Sequence, residues 1–310
     1  MSESRRGMMP YAALIGLALI WGGSFLAIKV AVRDMSPEMV LLSRSTFGLL
    51  GLAVIVRAMG RPLFSAGWRR RVFSFGFMAV TNAVIPWIFI AWGEERISSG
   101  LASILNATTT LWTAALVYWV VPSERPSFVN YIGVLLGFAG VVVLVYPDLS
   151  AHGVTGNFFG AMAVVVASLS YAINAIYQRR KMREVSIFEV SLGQLVATVL
   201  IAIPLAAPTL PQAHFHLASV AAVVALGVLA TSVGWVLYYF VMNTLGAVRA
   251  AGVTLLVPVT AVFWGVVLLR ESLSVPVVAG MLVILAGIVL SNLRRSPRLE
   301  PATEHDTAAA

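Results

Sequence analysis

The chain contains no cysteine and few charged residues. Of its 310 residues, 11% are charged and 59% are hydrophobic, whereas soluble domains are about a quarter charged. The absence of cysteine excludes a disulfide framework and thiol chemistry. A water-soluble chain of this length could not bury so much apolar surface. The composition therefore predicts an all-α membrane protein that crosses the bilayer many times.

Long apolar runs, separated by short polar breaks, predict ten transmembrane helices. Pro37, Pro62 and Pro147 lie in such breaks, next to charged or small residues. The predicted spans are 9–32, 37–57, 72–92, 97–121, 129–146, 155–178, 187–206, 216–240, 247–269 and 274–293. Residues 1–8 are predicted to be a cytoplasmic N-terminus, and residues 294–310 a disordered cytoplasmic tail.

The formal net charge of +8 reflects membrane orientation and not a nucleic-acid-binding face. With the N-terminus in the cytoplasm, sixteen Lys and Arg residues fall at the inner ends of the spans and four at the outer ends. Basic residues concentrate on the cytoplasmic side of membrane proteins. The distribution predicts that both termini are cytoplasmic and that the protein lies in a cell (inner) membrane.

The two halves of the chain resemble each other. A shift of 147 positions places Glu124 on Glu271 and Gly133 on Gly280, and a shift of 150 places Trp21 on Tyr171. The sequence therefore predicts two repeats, 9–150 and 151–293, each with five spans. Because five is odd, the second repeat must cross the membrane in the opposite sense. Inverted repeats of this kind are typical of secondary transporters, with the substrate cavity between the halves.

Ionisable groups are scarce in the middle of the spans. Glu94, Glu95, Glu124 and Glu271 lie near span ends, and the four histidines fall in loops or the tail. A proton-driven pump usually keeps an acid or a histidine in the membrane, and we expect no such group here. No carboxylate pair, metal cluster or activated nucleophile is visible, which argues against a membrane enzyme and against any metal or cofactor.

Polar and aromatic residues recur at helical spacing on spans 1, 3, 4, 6, 8 and 9. These residues are the predicted substrate-binding set: Trp21, Ser24, Thr81, Asn82, Asn106, Trp112, Tyr171, Asn174, Gln178, Ser232, Trp235, Tyr239 and Thr254. The alternative for each Ser, Thr or Asn is a hydrogen bond to a neighbouring helix. Ser170 is an equally good alternative to Tyr171 on its helix face.

Four further residues are predicted to have structural or gating roles. Pro86 and Pro258 can kink their helices. Lys29 could reach the outer interface along its aliphatic stem. Arg44 could cap a carbonyl, pair with Glu94 or Glu95, or bind an anionic substrate.

Several of these residues together resemble EamA-type members of the drug/metabolite transporter superfamily. They are the segment from Ala18 through Trp21, Ser24 and Lys29, then Arg44, and later Pro258, Glu271, Gly280 and Ala286-Gly287. The resemblance implies ten helices as two inverted five-helix repeats around a central cavity, and it implies transport of amino acids, other metabolites, nucleotide-sugars or phosphorylated sugars. Leu111 stands where the first repeat would carry the counterpart of Pro258, so that proline is not shared.

The sequence thus favours a secondary transporter that exports or exchanges a small metabolite, with an amino acid as the best-fitting solute. A cavity with few fixed charges suits a zwitterion better than a strong anion. The alternatives are a multidrug or cationic-solute efflux carrier, a membrane-embedded enzyme and a non-transporting scaffold. The expected partners are the solute and the lipid bilayer, and the sequence does not indicate an oligomeric state.

Overall fold

A computed structural model describes residues 3–120, 127–152, 154–246, 250 and 252–291. Within these residues the chain forms helices joined by short connections, and it has no β-strand. The all-α prediction is therefore confirmed for the described part of the chain. The predicted tail, residues 294–310, lies outside it.

The described helices fall into ten units, which we number α1 to α10. The first five are α1 Glu3–Ala31, α2 Pro37–Ala58, α3 (Val72–Ala79, Val80–Val84 and Ile85–Glu94), α4 (Ser99–Asn106 and Thr109–Val120) and α5 Phe128–His152. The second five are α6 Gly156–Lys181, α7 Ile187–Ala206, α8 (Leu217–Ala225, Leu226–Val233 and Gly234–Leu245), α9 Val253–Leu269 and α10 Val275–Ser291. Short 3₁₀ turns, Trp68–Arg71 and Ala207–Gln212, precede α3 and follow α7.

The helices agree with the ten predicted spans, except that α5 continues through Pro147, which was predicted to lie in a break. Eight of them are long and apolar enough to cross a membrane, while α9 and α10 are apolar but have 17 residues each. Ser36 caps α2 by accepting a hydrogen bond from the Met39 amide, and Ser98 caps α4 in the same way at Leu101. These caps account for the predicted breaks after the first and third spans.

The middle of α3 and the middle of α8 are π-helical. In α3 the segment Val80–Val84 lies directly before Pro86, and in α8 the segment is Leu226–Val233. A π turn adds a residue to the helix and releases backbone groups from the regular hydrogen-bond ladder. The sequence predicted an irregularity at Pro86 but none in α8, where no proline marks it. Helix α9 continues through Pro258.

The helices of the second half pack against the first half in the same way as the helices of the first half pack against the second. Helix α1 packs against α8 and α9, and α6 packs against α3 and α4. Helix α2 packs against the π-helical segment of α8, and α7 packs against α3. Adding five to each first-half helix, and subtracting five from each second-half helix, converts one set of contacts into the other.

Segments that are predicted to lie on the same side of the membrane contact each other in the structure. The carbonyl of Asp34, between α1 and α2, accepts a hydrogen bond from the His214 amide, between α7 and α8. At the other end, Arg71 forms an ion pair with Glu189 at the start of α7. Each contact joins two loops that the sequence places on the same side of the membrane.

Helices α5 and α10 touch along their glycines. A Cβ at Gly140 would lie 2.9 Å from the amide nitrogen of Ile284, and one at Gly133 would lie 2.8 Å from the carbonyl oxygen of Gly287. A Cβ at Gly287 would overlap the backbone of Gly137. Small residues on facing membrane helices permit this close approach.

We predict that Gly287→Ala lowers the thermal midpoint of the purified protein, because neither backbone can move without displacing its helix. Overpacking of this kind costs about 1–3 kcal/mol. The matched control is Gly16→Ala in α1, where a Cβ meets nothing within 4 Å. Alanine stabilises a helix by roughly 0.5–1 kcal/mol relative to glycine, so the control should be neutral or more stable. Equal midpoints for the two variants would contradict the packing described.

Candidate functional site

The π-helical segment of α8 receives side chains from α1 and α2. The indole Nε1 of Trp21 donates to the carbonyl oxygen of Ala230 at 3.0 Å. The Nε of Arg44 donates to the hydroxyl oxygen of the next residue, Thr231, at 3.3 Å. We call these two contacts the α8 junction. They supply hydrogen bonds where the π turn disturbs the helix and where lipid could supply none.

The π-helical segment of α3 receives side chains from α6 and α7. The hydroxyl of Ser170 donates to the carbonyl oxygen of Thr81 at 2.8 Å. The amide Nδ2 of Asn82 donates to the side-chain oxygen of Gln194 at 3.1 Å. The Thr81 hydroxyl also lies 3.4 Å from the Oδ1 of Asn174. We call these contacts the α3 junction.

The two junctions correspond residue by residue. Trp21 and Ser170 are 149 positions apart, as are Thr81 and Ala230. In the second contact of each junction, Arg44 and Gln194 are 150 apart, and Asn82 and Thr231 are 149 apart. The geometry is therefore repeated while the chemistry differs, because only the α8 junction carries a charge.

Three aromatic rings surround the α8 junction. The ring centroids of Trp21 and Trp235 are 6.4 Å apart, those of Trp21 and Tyr238 are 5.7 Å apart, and those of Trp235 and Tyr238 are 6.0 Å apart. We call these residues the aromatic trio. Tyr238 was not among the predicted residues. Its neighbour Tyr239, which was, packs against Phe188 of α7 at 4.9 Å.

Arg44 lies on an aromatic surface inside the bundle. The centre of its guanidinium group is 4.0 Å from the ring centroid of Trp87, a distance at which a cation is attracted to the indole face. The hydroxyl of Tyr171 lies beside the same indole. Of the roles predicted for Arg44, capping a carbonyl and pairing with Glu95 do not match these contacts, and Glu95 instead pairs with Arg96 at 2.7 Å.

Helix α4 contributes three buried polar atoms that lack a partner among the described residues, the Oγ of Ser103 and one atom each of the predicted residues Asn106 and Trp112. Among the residues that the structure describes, nothing bonds to the Oδ1 of Asn106 or to the indole Nε1 of Trp112. The two residues flank the break between the halves of α4, and the hydroxyl of Ser168 on α6 bonds to the carbonyls of Leu105 and Asn106. Buried polar groups normally have a partner, so the atoms of Asn106 and Trp112 can bind a polar solute or water.

Other predicted site residues make packing contacts or lie elsewhere. Ser24 bonds to the carbonyl of Trp21 in its own helix, and Ser232 is buried and bonds to the carbonyls of Gly48 and Gly227. Gln178 is half-buried in the last turns of α6, and Thr254 is exposed on α9. These four side chains are not part of the contacts that define the two junctions.

Lys29 bonds to backbone carbonyls at the end of α3, a contact that the sequence did not predict. Its ammonium group donates to the carbonyl oxygens of Glu94, and of Ile97 at 2.9 Å. These carbonyls follow the end of α3, where unpaired backbone acceptors favour a cation. Lys29 thus ties α1 to the connection between α3 and α4.

Glu94 lies at a helix end, as the sequence predicted, but its burial was not predicted. Glu94 is the last residue of α3, and its exposed fraction is 0%. Helices α1 and α6 pack over this end of α3. Within the described residues, no three His, Asp or Glu side chains come together as a metal site.

A polar cluster outside the membrane connects the two halves. The Asp34 carboxylate accepts hydrogen bonds from the Ser219 hydroxyl and from the His216 Nδ1, the latter at 3.0 Å. These hydrogen bonds, chiefly the one from Ser219, hold the pKa of Asp34 below its ordinary value of 3.8. The ionised carboxylate is therefore stabilised in the folded state.

We predict that Asp34→Asn lowers the thermal midpoint near pH 7 but has little effect below the pKa of folded Asp34. A depressed carboxyl pKa adds stability above the unfolded value and loses it as pH falls through the folded value. The measurement is the midpoint of both proteins between pH 3 and pH 7. A difference that stays constant down to pH 3 would contradict the role of the charge.

Ten apolar helices, with polar and aromatic groups at two matched junctions, define a multi-pass helical membrane protein. The model of the EamA-like transporter family matches residues 8–146 and again residues 158–293. The chain belongs to this family, and it is a membrane transporter.

Relatives along the whole chain carry transporter names. It is 28% identical to an "Uncharacterized transporter" of Archaeoglobus fulgidus, over 91% of this chain and 98% of that protein. It is 23% identical to "Uncharacterized transporter YoaV" of Bacillus subtilis, over 92% and 97%. It is 25% identical to "Uncharacterized inner membrane transporter YedA" of Escherichia coli, over 93% and 92%. A solved structure titled "Crystal structure of protein" shares the fold, with a TM-score of 0.66, 20% identity and coverage of 92% of this chain and 96% of that one.

Proposed function

We propose that the protein exports or exchanges an amino acid across the inner membrane by alternating access between two inverted five-helix repeats. The observation that carries this proposal is Arg44, a cation held inside the bundle by Thr231 and Trp87. An ionisable residue within a membrane helix indicates a functional site. A guanidinium group is suited to a carboxylate, because its planar N–H groups can form two parallel hydrogen bonds.

The aromatic trio supports a solute with an apolar side chain. Trp21 contacts Ala230, and Arg44 contacts the adjacent residue Thr231. The charged group and the aromatic surface are therefore anchored next to each other on α8. A carboxylate at Arg44 would leave the rest of an amino acid near Trp21, Trp235 and Tyr238.

The matched junctions support movement of one repeat against the other. Because each repeat has five spans, the two repeats cross the membrane in opposite directions. When the repeats exchange conformations, the inward-open state becomes the outward-open state. The π-helical segments of α3 and α8 are points where a helix can bend with little loss of regular hydrogen bonds. Pro86, directly after the first segment, favours bending in α3.

Location and orientation follow from charge. Sixteen basic residues at one set of span ends against four at the other favour cytoplasmic termini. The Escherichia coli relative is named an inner membrane transporter, which agrees with this location.

A cationic solute is the second candidate, because the acid Glu94 is also buried within the helix bundle. Arg44 opposes it, since Coulomb repulsion between the guanidinium group and a cation grows as the surroundings become less polar. The experiment below therefore includes organic cations.

We predict that at least one amino acid raises the thermal midpoint of the purified protein, and that Arg44→Gln abolishes the increase. A ligand that binds only the folded protein, at about 100 times its dissociation constant, adds roughly 2.7 kcal/mol. The panel contains amino acids, nucleotide-sugars and organic cations. Arg57→Gln, an exposed position near the end of α2, is the matched control and should keep the response.

Stabilisation by cations alone, or a response that survives in Arg44→Gln, would contradict the proposed solute class. Arg44→Lys keeps the positive charge but removes the planar N–H groups of the guanidinium group. If two parallel hydrogen bonds hold the carboxylate, lysine should restore only part of the affinity.

A further inference from the structure

Glu94 is a buried acid that the proposed transport of an amino acid does not use. Its side chain is fully buried, and neither carboxyl oxygen has a hydrogen-bond partner among the residues that the structure describes. The nearest ammonium group, that of Lys29, donates to the backbone carbonyls of Glu94 and Ile97 and not to the carboxyl group. A carboxyl group in this setting is far less costly to bury as the neutral acid than as the anion.

The charged groups around Glu94 come from three other elements. Lys29 faces it from α1, Arg44 from α2 and Glu271 from the connection between α9 and α10. Helix α6 presents no charge here, since its Gly160 and Val164 pack against Gly93. Arg96 is held away, because its guanidinium group pairs with Glu95 and lies 3.7 Å from the Trp92 ring centroid.

Glu271, the acid facing Glu94, is already satisfied. Its carboxylate accepts hydrogen bonds from the amide of Ser99 at 2.8 Å, from the Ser99 hydroxyl at 2.9 Å and from the amide of Gly100 at 3.2 Å. These bonds fix its carboxylate at the start of α4. A second negative charge at Glu94 would be repelled by it.

Glu94 lies between the proposed substrate site and one end of the bundle. It follows Trp87 by seven residues on α3, so both side chains lie on the same helix face, and Trp87 is the ring on which Arg44 lies. Beyond Glu94 are Lys29 and Glu271, at the end where α9 joins α10. Opening of this end would bring water first to Glu94 and then to Arg44.

We propose that Glu94 is a proton-binding site, which holds a proton as a neutral acid while this end is closed and releases it to water when this end opens. The step is a simple dissociation, in which the O–H bond breaks, a water molecule takes the proton and the electron pair stays on the carboxylate. It rests on the proposed alternating access. The consequence is that solute movement is linked to proton movement, which was not expected from the positions of the ionisable residues along the chain.

Infrared spectroscopy of the purified protein tests the proton directly. At pH 7 the wild type should show the carbonyl-stretch band of a protonated carboxylic acid, and this band should disappear in Glu94→Gln. The control is Glu95→Gln, the next residue, which is exposed and paired with Arg96. The control should keep the band. A wild-type band that survives in Glu94→Gln, or no such band in the wild type, would overturn the proposal.

Cysteine labelling tests the link to opening, and the chain has no cysteine of its own. Ala102 in α4 is fully buried at the same end, so Ala102→Cys should react with a polar maleimide only when that end opens. In the otherwise wild-type background the labelling rate should rise with pH more steeply than ionisation of the thiol explains, since a free cysteine has a pKa of about 8.5. With Glu94→Gln only the thiol titration should remain, and Glu95→Gln should behave as the wild type.

Identical pH profiles with and without Glu94→Gln would overturn the link between proton release and opening. Both experiments need no solute, so they are separate from the amino-acid panel. If no amino acid stabilises the protein, but the infrared band is present and the pH profile of labelling depends on Glu94, the proposed solute is rejected and the proton site stands. If an amino acid stabilises the protein, but neither the infrared band nor the Glu94-dependent labelling is observed, the proposed solute stands and the proton site is rejected.

Discussion

Hydrocarbon cannot form hydrogen bonds, and this constraint shapes the interior of the protein. A backbone carbonyl released by a π turn in a membrane helix must find a donor within the protein. Trp21 supplies one at Ala230 of α8, and Ser170 supplies one at Thr81 of α3. The irregular segments that permit bending are therefore also the segments to which other helices are anchored.

The same two anchoring points account for the polarity of the site. Equivalent positions carry Arg44 in one junction and Gln194 in the other, and each bonds to the side chain of a π-helical segment. A repeated scaffold thus holds a cation on one side and a neutral amide on the other. This asymmetry suits a solute with one charged end, and it keeps the number of buried charges small.

The sequence predicted the helices, their order and much of the site, because periodicity and charge are local signals. Trp21, Asn82, Asn174 and Trp235 were predicted from helical spacing, and the structure places all four at the junctions or in the aromatic trio. Tyr238 was missed because steps of three and four residues from Trp235 lead equally to Tyr238 and Tyr239. Glu94 was missed because its burial depends on helices distant in sequence.

Alternating access is the central claim, and the accessibility of the junctions tests it most directly. Single cysteines in place of Asn82, Asn174 and Trp235 would be labelled with membrane-impermeant reagents from each side of the membrane. Leu111 of α4, fully buried against Gly137 of α5, provides a packing control. Alternating access requires that the three sites react from both sides while Leu111→Cys stays unreactive. Three sites as unreactive as the control from either side would contradict it.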